Sequence, residues 1–145
     1  MEKARALPAV KRIALVAHNN KKEALLEWAE ANKEFLSKHE LVATGSTGEL
    51  IEKKLKVPVT RLLSGPLGGD QQIGSLIAEG KLDFLVFFWD PMEAQAHDSD
   101  VKALLRLAVA WNILVADNRT TADFIVSSSQ MQKKYEIQLE DFSKY

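Results

Sequence analysis

Five short strand-like runs recur along the chain, and each is followed by a segment with helical spacing. Ile13-Ala14-Leu15-Val16-Ala17 and Asp83-Phe84-Leu85-Val86-Phe87-Phe88-Trp89 are the clearest, with the continuous apolar character of strands buried on both faces of a sheet. Leu41–Ala43, Val59–Leu63 and Ile113–Ala116 complete the set. Between them, residues 21–38, 49–56, 71–79, 98–111 and 120–126 are patterned as helices. Leu25, Trp28, Ala29 and Leu36 share one face of the first, Pro58 stops the second, and Thr120 or Thr121 caps the last. Parallel strands need long crossovers, and helical crossovers cover both faces of the sheet they join. The expected fold class is therefore α/β, a three-layer sandwich around a mostly parallel five-stranded sheet, Rossmann-like in architecture. No linker, repeat or low-complexity tract interrupts the 145 residues. One domain over 1–145 is expected, with 1–10 as an N-terminal extension and 130–145 as a polar C-terminal tail in which Tyr135–Leu139 alternates like an edge strand.

Composition narrows the function classes. A formal net charge of −1 supplies no electrostatic drive toward nucleic acid or an acidic membrane surface. The chain contains no cysteine, which removes disulfides, thiolate metal sites and cysteine nucleophiles. The apolar run Phe84–Trp89 is far too short to span a bilayer. The first residues are charged (Glu2, Lys3, Arg5) and lack the apolar core of a signal peptide, so a cytoplasmic location is expected.

In open parallel sheets, ligands bind beyond the carboxyl ends of the strands. Every expected strand here ends in polar chemistry. The first runs into His18-Asn19-Asn20, with Lys22 just beyond; the second into Thr44-Gly45-Ser46-Thr47-Gly48; the third into Ser64-Gly65-Pro66-Leu67-Gly68-Gly69-Asp70. The fourth ends at Asp90-Pro91 and leads to His97-Asp98-Ser99-Asp100, and the fifth ends at Asp117-Asn118. Small-residue turns that open helices present N–H groups and hydroxyls suited to phosphate oxygens. The plainer reading of Thr44–Gly48 is a helix capped by Ser46 or Thr47. Its glycines match neither a P-loop nor a dinucleotide-binding fingerprint. Asp70 is a carboxylate at the end of a phosphate-friendly turn, and two readings fit it: a helix cap, or a base that takes a proton from a bound phosphorylated substrate. His18 and His97, set beside carboxylates, suit acid–base chemistry, whereas His39 at a polar helix end reads as surface. Asp98 or Ser99 is the expected cap of the helix that follows, and Asp100 the expected site member. A metal held by His18, His97 and Asp100 is a weaker alternative, because their spacing fits no strong metal motif.

Taken together, these residues resemble the methylglyoxal synthase family over nearly the whole chain. The signatures are Ala43-Thr44-Gly45-Ser46-Thr47-Gly48, Ser64-Gly65-Pro66-Leu67-Gly68-Gly69-Asp70-Gln71-Gln72-Ile73-Gly74, Phe88-Trp89-Asp90-Pro91 and His97-Asp98-Ser99-Asp100-Val101-Lys102-Ala103-Leu104. The second and fourth are the most specific. The resemblance implies a lyase that converts dihydroxyacetone phosphate to methylglyoxal and inorganic phosphate without a cofactor. It makes Asp70 the catalytic base and His97 the hydrogen-bond donor to the substrate oxygen on which enediolate charge develops. Asp100 becomes a supporting acid–base residue and His18 a substrate contact. Lys22, Thr44, Gly45, Ser46, Thr47, Ser64 and Gly65 become the phosphate-binding set. It also implies a homo-oligomer, a hexamer in the family, with inorganic phosphate as product and candidate inhibitor.

The chain departs from the family pattern in three places. Asn19 follows His18 where members commonly carry Asp, Asp117 stands where a small hydroxyl residue is usual, and the chain ends at Tyr145 where some members extend to a tail arginine that reaches a neighbouring subunit. The last departure leaves phosphate regulation between subunits open. The first two motivate an alternative from another class, a catalytically silent domain of the same fold that binds a phosphorylated metabolite and regulates.

Overall fold

The computed structural model describes residues 3–96, 98–143 and 145. His97 lies outside the described residues. Strand β1 (Ala4–Leu7) precedes β2 (Arg12–Ala17), helix α1 (Lys22–Ala31) and the short α2 (Lys33–Leu36). Then come β3 (Glu40–Thr44), α3 (Gly45–Leu55), β4 (Thr60–Leu62), α4 (Gly69–Ala78) and β5 (Phe84–Phe88). The order closes with α5 (Asp98–Ala110), β6 (Leu114–Ala116), α6 (Arg119–Val126) and β7 (Tyr135–Gln138).

The main sheet has five strands in the order β4-β3-β2-β5-β6, all parallel. Side chains alternate between its two faces, as the pleat requires. Ile13, Leu15, Phe84, Val86 and Phe88 pack on one side against Leu25, Trp28 and Ala29 of α1 and Ile51 and Leu55 of α3. Ala14, Val16, Leu85 and Phe87 pack on the other against Ile73 and Ile77 of α4 and Val101, Leu104 and Ala108 of α5. All five residues of β5 are buried, and its three phenylalanines contribute roughly 1.5–3 kcal/mol each. The three-layer α/β sandwich is thus the observed architecture.

Several local expectations change. The helix expected over 21–38 breaks at Asn32, whose side-chain amide donates to the Trp28 carbonyl at 2.8 Å and so competes with the helical ladder. Helix α3 starts at Gly45 rather than Glu49, and its N-cap is Thr44. No side chain caps it, so the expected capping by Ser46 or Thr47 does not occur. The cap of α6 is Asn118, which accepts the Thr121 N–H at 2.9 Å, rather than Thr120 or Thr121. Tyr135–Gln138 is a strand, but it pairs antiparallel with β1 in a separate two-stranded sheet. The expected N-terminal extension therefore contains structure, with Leu7 buried in the core beside Ile137.

The amino edge of the main sheet is closed by charge. Asp83 is fully buried and is met by Arg12 at 2.9 Å and Arg5 at 3.3 Å, and it also accepts the Arg12 backbone N–H at 2.8 Å. The Asp83 carboxylate, hydrogen-bonded to the guanidinium, raises Arg12 above its ordinary pKa. Lys11, buried alongside, donates to the carbonyls of Pro8 and Lys133 at 2.5 and 2.7 Å, and burial lowers its pKa.

Candidate active site

Strand order places the site. From β2 the chain crosses to β3 on one side, and from β5 to β6 on the other, so the carboxyl ends of β2 and β5 flank the switch point at which open sheets bind ligands. The pairing of Ala17 with Phe88 sets His18 beside the exit of β5. The pairing of Thr44 with Leu62 sets the exits of β3 and β4 side by side. A cavity of about 160 Å³ opens at this edge. It is smaller than the roughly 300–1,000 Å³ of drug-sized sites and suits one small metabolite.

One flank of the cavity has the make-up of an anion cradle. Thr44, Gly45, Ser46 and Thr47 line it with the first turn of α3, and Ser64 and Gly65 line it from the turn after β4. The first turn of α3 contains no acidic residue. No carboxylate of the helix itself therefore offsets its N-terminal N–H groups and the positive end of its dipole, about half a charge. Gly45 is held at φ +55, a region that favours glycine, and a Cβ there would sit a tight 3.3 Å from Ser64 Cα, so glycine eases the close approach of the two turns. The Gly45 N–H donates to the Leu63 carbonyl at 3.2 Å and locks them together. Lys22, the first residue of α1, lines the cavity and donates to Ser46 Oγ at 3.0 Å, which brings an ammonium to the cradle.

Asp70 lines the same cavity and is 3% exposed. It is the second residue of α4, whose N-cap is Gly68, so the capping reading of Asp70 does not hold. Gly69 positions it: a Cβ at 69 would lie 2.0 Å from the Leu63 carbonyl oxygen, and the Gly69 N–H donates to Ser64 O at 2.9 Å. The start of α4 is thereby pressed against the end of β4, and the carboxylate sits next to the cradle.

His18 is 5% exposed and its ring is fixed on two sides. It packs edge-on to Phe87 with centroids 5.2 Å apart, and its Nδ1 accepts the Asp90 backbone N–H at 3.1 Å. Accepting at Nδ1 puts the proton of the neutral ring on Nε2, which makes Nε2 a donor in the cavity wall. Asp90 is held in turn. Asn20 Nδ2 donates to its Oδ2 at 3.0 Å and the Met92 N–H donates to its Oδ1 at 3.0 Å. These bonds, with the charge of Lys21, keep the Asp90 carboxyl below its ordinary pKa.

The structure therefore brings nine of the expected residues to one cavity: His18, Lys22, Thr44, Gly45, Ser46, Thr47, Ser64, Gly65 and Asp70. Asp100, half-buried in the first turn of α5, lines an adjoining groove of about 390 Å³ instead. Asp70 lines both, so the two carboxylates border one groove. Asp98 Oδ2 accepts the Gln95 N–H at 3.2 Å, a structural role at the start of α5. Asp117 is exposed and does not line the cavity, whereas Asn19 does. Gln95 also lines it, a residue that nothing in the sequence pattern singled out. His39 is half-buried rather than surface: its Nδ1 accepts the Lys11 N–H at 2.7 Å and its ring packs on Phe35. Among the described residues, no cluster of three His, Asp or Glu is arranged to hold a metal ion, and no helix is long and apolar enough to cross a membrane.

Residues 24–116 match the family model described as MGS-like domain. The chain is 58% identical to the methylglyoxal synthase of Leptospira interrogans over 130 residues, which cover 90% of this chain and 88% of that protein. It is 54% identical to the methylglyoxal synthase of Pectobacterium atrosepticum over 141 residues, 97% of this chain and 93% of that one. The crystal structure of methylglyoxal synthase from Elizabethkingia anophelis superposes with a TM-score of 0.93 at 53% identity, covering 99% of this chain and 95% of that chain. A small anion cradle beside a buried carboxylate, on a fold shared at this level of identity, places the chain in the methylglyoxal synthase family.

Proposed function

We propose that the chain converts dihydroxyacetone phosphate to methylglyoxal and inorganic phosphate. The observation that carries this reading is the meeting, in one small cavity, of a buried carboxylate on α4 with the unblocked N-terminus of α3. The cradle of Lys22, Thr44–Thr47, Ser64 and Gly65 takes the phosphate. Asp70 then removes a proton from the hydroxymethyl carbon next to the carbonyl, leaving an enediolate. Developing charge on the carbonyl oxygen needs aimed donors, and His18 Nε2 is one. The resemblance assigns the same task to His97 and a supporting acid–base role to Asp100. The hydroxyl on the deprotonated carbon then passes its proton to the enediolate oxygen and closes to an aldehyde, and the enediolate electron pair shifts to the next carbon and expels phosphate as its carbon–oxygen bond breaks. The enol left behind takes a proton at its terminal carbon to give methylglyoxal. A cradle already formed from backbone and hydroxyl donors holds the leaving phosphate with little reorganisation.

Incubation with dihydroxyacetone phosphate is expected to yield methylglyoxal above the spontaneous background, and no product would end the proposal. Asp70→Asn is expected to lower kcat by about two orders of magnitude or more, the scale of general-base contributions. The silent metabolite-binding reading draws on Asn19, which lines the cavity as an amide; binding by calorimetry with no turnover would favour it. The family also leads us to propose self-association, as a hexamer. Sedimentation velocity tests it.

A further inference from the structure

We propose that Gln95 is a substrate-positioning residue that recognises the hydroxyketone end of the ligand, opposite the phosphate cradle; this rests on the reaction proposed above. The sheet order separates the two ends of the cavity. The cradle is built at the exits of β3 and β4, on one side of β2. Gln95 enters from the segment after β5, on the other side of β2. A phosphate seated on α3 therefore directs the carbon end of its ligand toward His18 and Gln95.

The chemistry of the side chain suits that end. A phosphate dianion offers only acceptors, and Lys22, the hydroxyls and the backbone N–H groups supply only what it needs. A carboxamide both donates and accepts, so it matches a ligand end that carries a carbonyl oxygen and a hydroxyl together. Gln95 is half-buried, and among the described residues its amide has no hydrogen-bond partner, whereas its backbone N–H is engaged by Asp98 Oδ2 at 3.2 Å.

The segment carrying Gln95 is fastened at its start as well. Asn20 Nδ2 donates to both Asp90 and Glu93, two carboxylates on this one stretch. The Asp90 N–H is bonded to His18. The main chain is thus pinned before and after residue 95, and the amide is presented from a fixed root, which is what precise positioning requires. Asn20 serves the site through this fastening and does not line the cavity.

The test compares two ligands that share the phosphate and differ at the other end. Gln95→Ala and Gln95→Glu are made in the unsubstituted chain for steady-state kinetics. They are also made in an Asp70→Asn background, so that dihydroxyacetone phosphate binds in calorimetry without turning over. Gln95→Ala is expected to raise KM and Kd for dihydroxyacetone phosphate about tenfold, the scale of one or two neutral hydrogen bonds. The Kd of inorganic phosphate is expected to stay within about twofold, because its donors lie on the other flank. Gln95→Glu is expected to weaken the ketose phosphate further, since it turns a donor into a charged acceptor. An unchanged KM and Kd for dihydroxyacetone phosphate would overturn the assignment, and so would an equal weakening of both ligands. Failure of the parent reading looks different: the unsubstituted chain would then make no methylglyoxal, whatever residue 95 is.

Discussion

Gly69→Ala is expected to remove most of the activity while leaving a folded protein. An added Cβ would lie 2.0 Å from Leu63 O, 2.9 Å from Leu63 C and 2.9 Å from Ser64 O. All three are backbone atoms, so no side chain can rotate out of the way. Relief to 3.0 Å, below which such contacts essentially never occur, needs the first turn of α4 to retreat by roughly 1 Å. Asp70 is the next residue and moves with that turn. A misplacement of this size costs about 10²-fold when the displaced group is the one that reacts. The overpacking itself costs about 1–3 kcal/mol, partly offset by the better helix propensity of alanine, up to about 1 kcal/mol. A drop in Tm of several degrees follows, at roughly 2–4 °C per kcal/mol for a chain of this size. Gly74→Ala is the control on the same helix. Its Cβ would meet only Leu107 Cδ1, at 3.2 Å, the far end of a flexible side chain, so the rate is expected to stay near wild type. Initial rates of methylglyoxal formation and thermal melts read both variants. A Gly69→Ala protein with kcat within about threefold of wild type and an unchanged Tm would refute the claim that this contact aims Asp70.

Lys22→Ala is expected to weaken inorganic phosphate and raise KM by roughly 10–100-fold, the loss of one charged hydrogen bond, and calorimetry with phosphate reads it directly. Asp83→Ala is expected to cost about 1–3 kcal/mol in urea melts, because two partly buried arginines lose the carboxylate they share, while kcat per folded molecule stays the same at the opposite edge of the sheet. Burial, together with Lys11 and Lys38, holds His39 below its ordinary 6.5, so the unfolded chain binds the proton more readily than the folded one. Stability from this group is full above pH 6.5 and falls as the pH drops below it. The His39→Asn variant keeps an acceptor for the Lys11 N–H and is expected to show a flatter Tm from pH 6.5 down to about 5; equal slopes would contradict this.

The central strands were legible in the sequence because burial on both faces demands unbroken apolar runs, as in Ile13–Ala17 and Phe84–Phe88. The cradle was legible for a related reason. Small residues and hydroxyls at the exits of two strands have little other cause to cluster, and parallel topology sends both exits to one edge. Other features had no local signal. The pairing of Ala4–Leu7 with Tyr135–Gln138 joins segments more than a hundred positions apart; alternation marked the second run as an edge strand, but nothing marked the first as its partner. Nothing local marks Lys11 and Arg12 as partnered, yet both are held by groups far along the chain, at Lys133 and Asp83. Gln95 is an ordinary polar residue in sequence, and only the path of the chain after β5 gives it a place in the cavity. Asp100 shows the converse: a helix-start carboxylate does join the neighbourhood, but through the groove that Asp70 also lines rather than in the cavity.

The strand order also dictates a schedule for the newborn chain. β2 lies at the centre of the sheet, yet one of its neighbours, β5, lies some seventy residues later in the sequence. While the polypeptide leaves the ribosome, β2, β3 and β4 can assemble first, and one long side of β2 then stands bare, an apolar edge that invites pairing with other chains. Only the arrival of Phe84–Phe88 seals it, and the same event sets Asp90 against His18. The pairing that covers the bare side of β2 is therefore also the one that completes the His18 end of the cavity, and its nonlocal closure is the kind of step that slows folding.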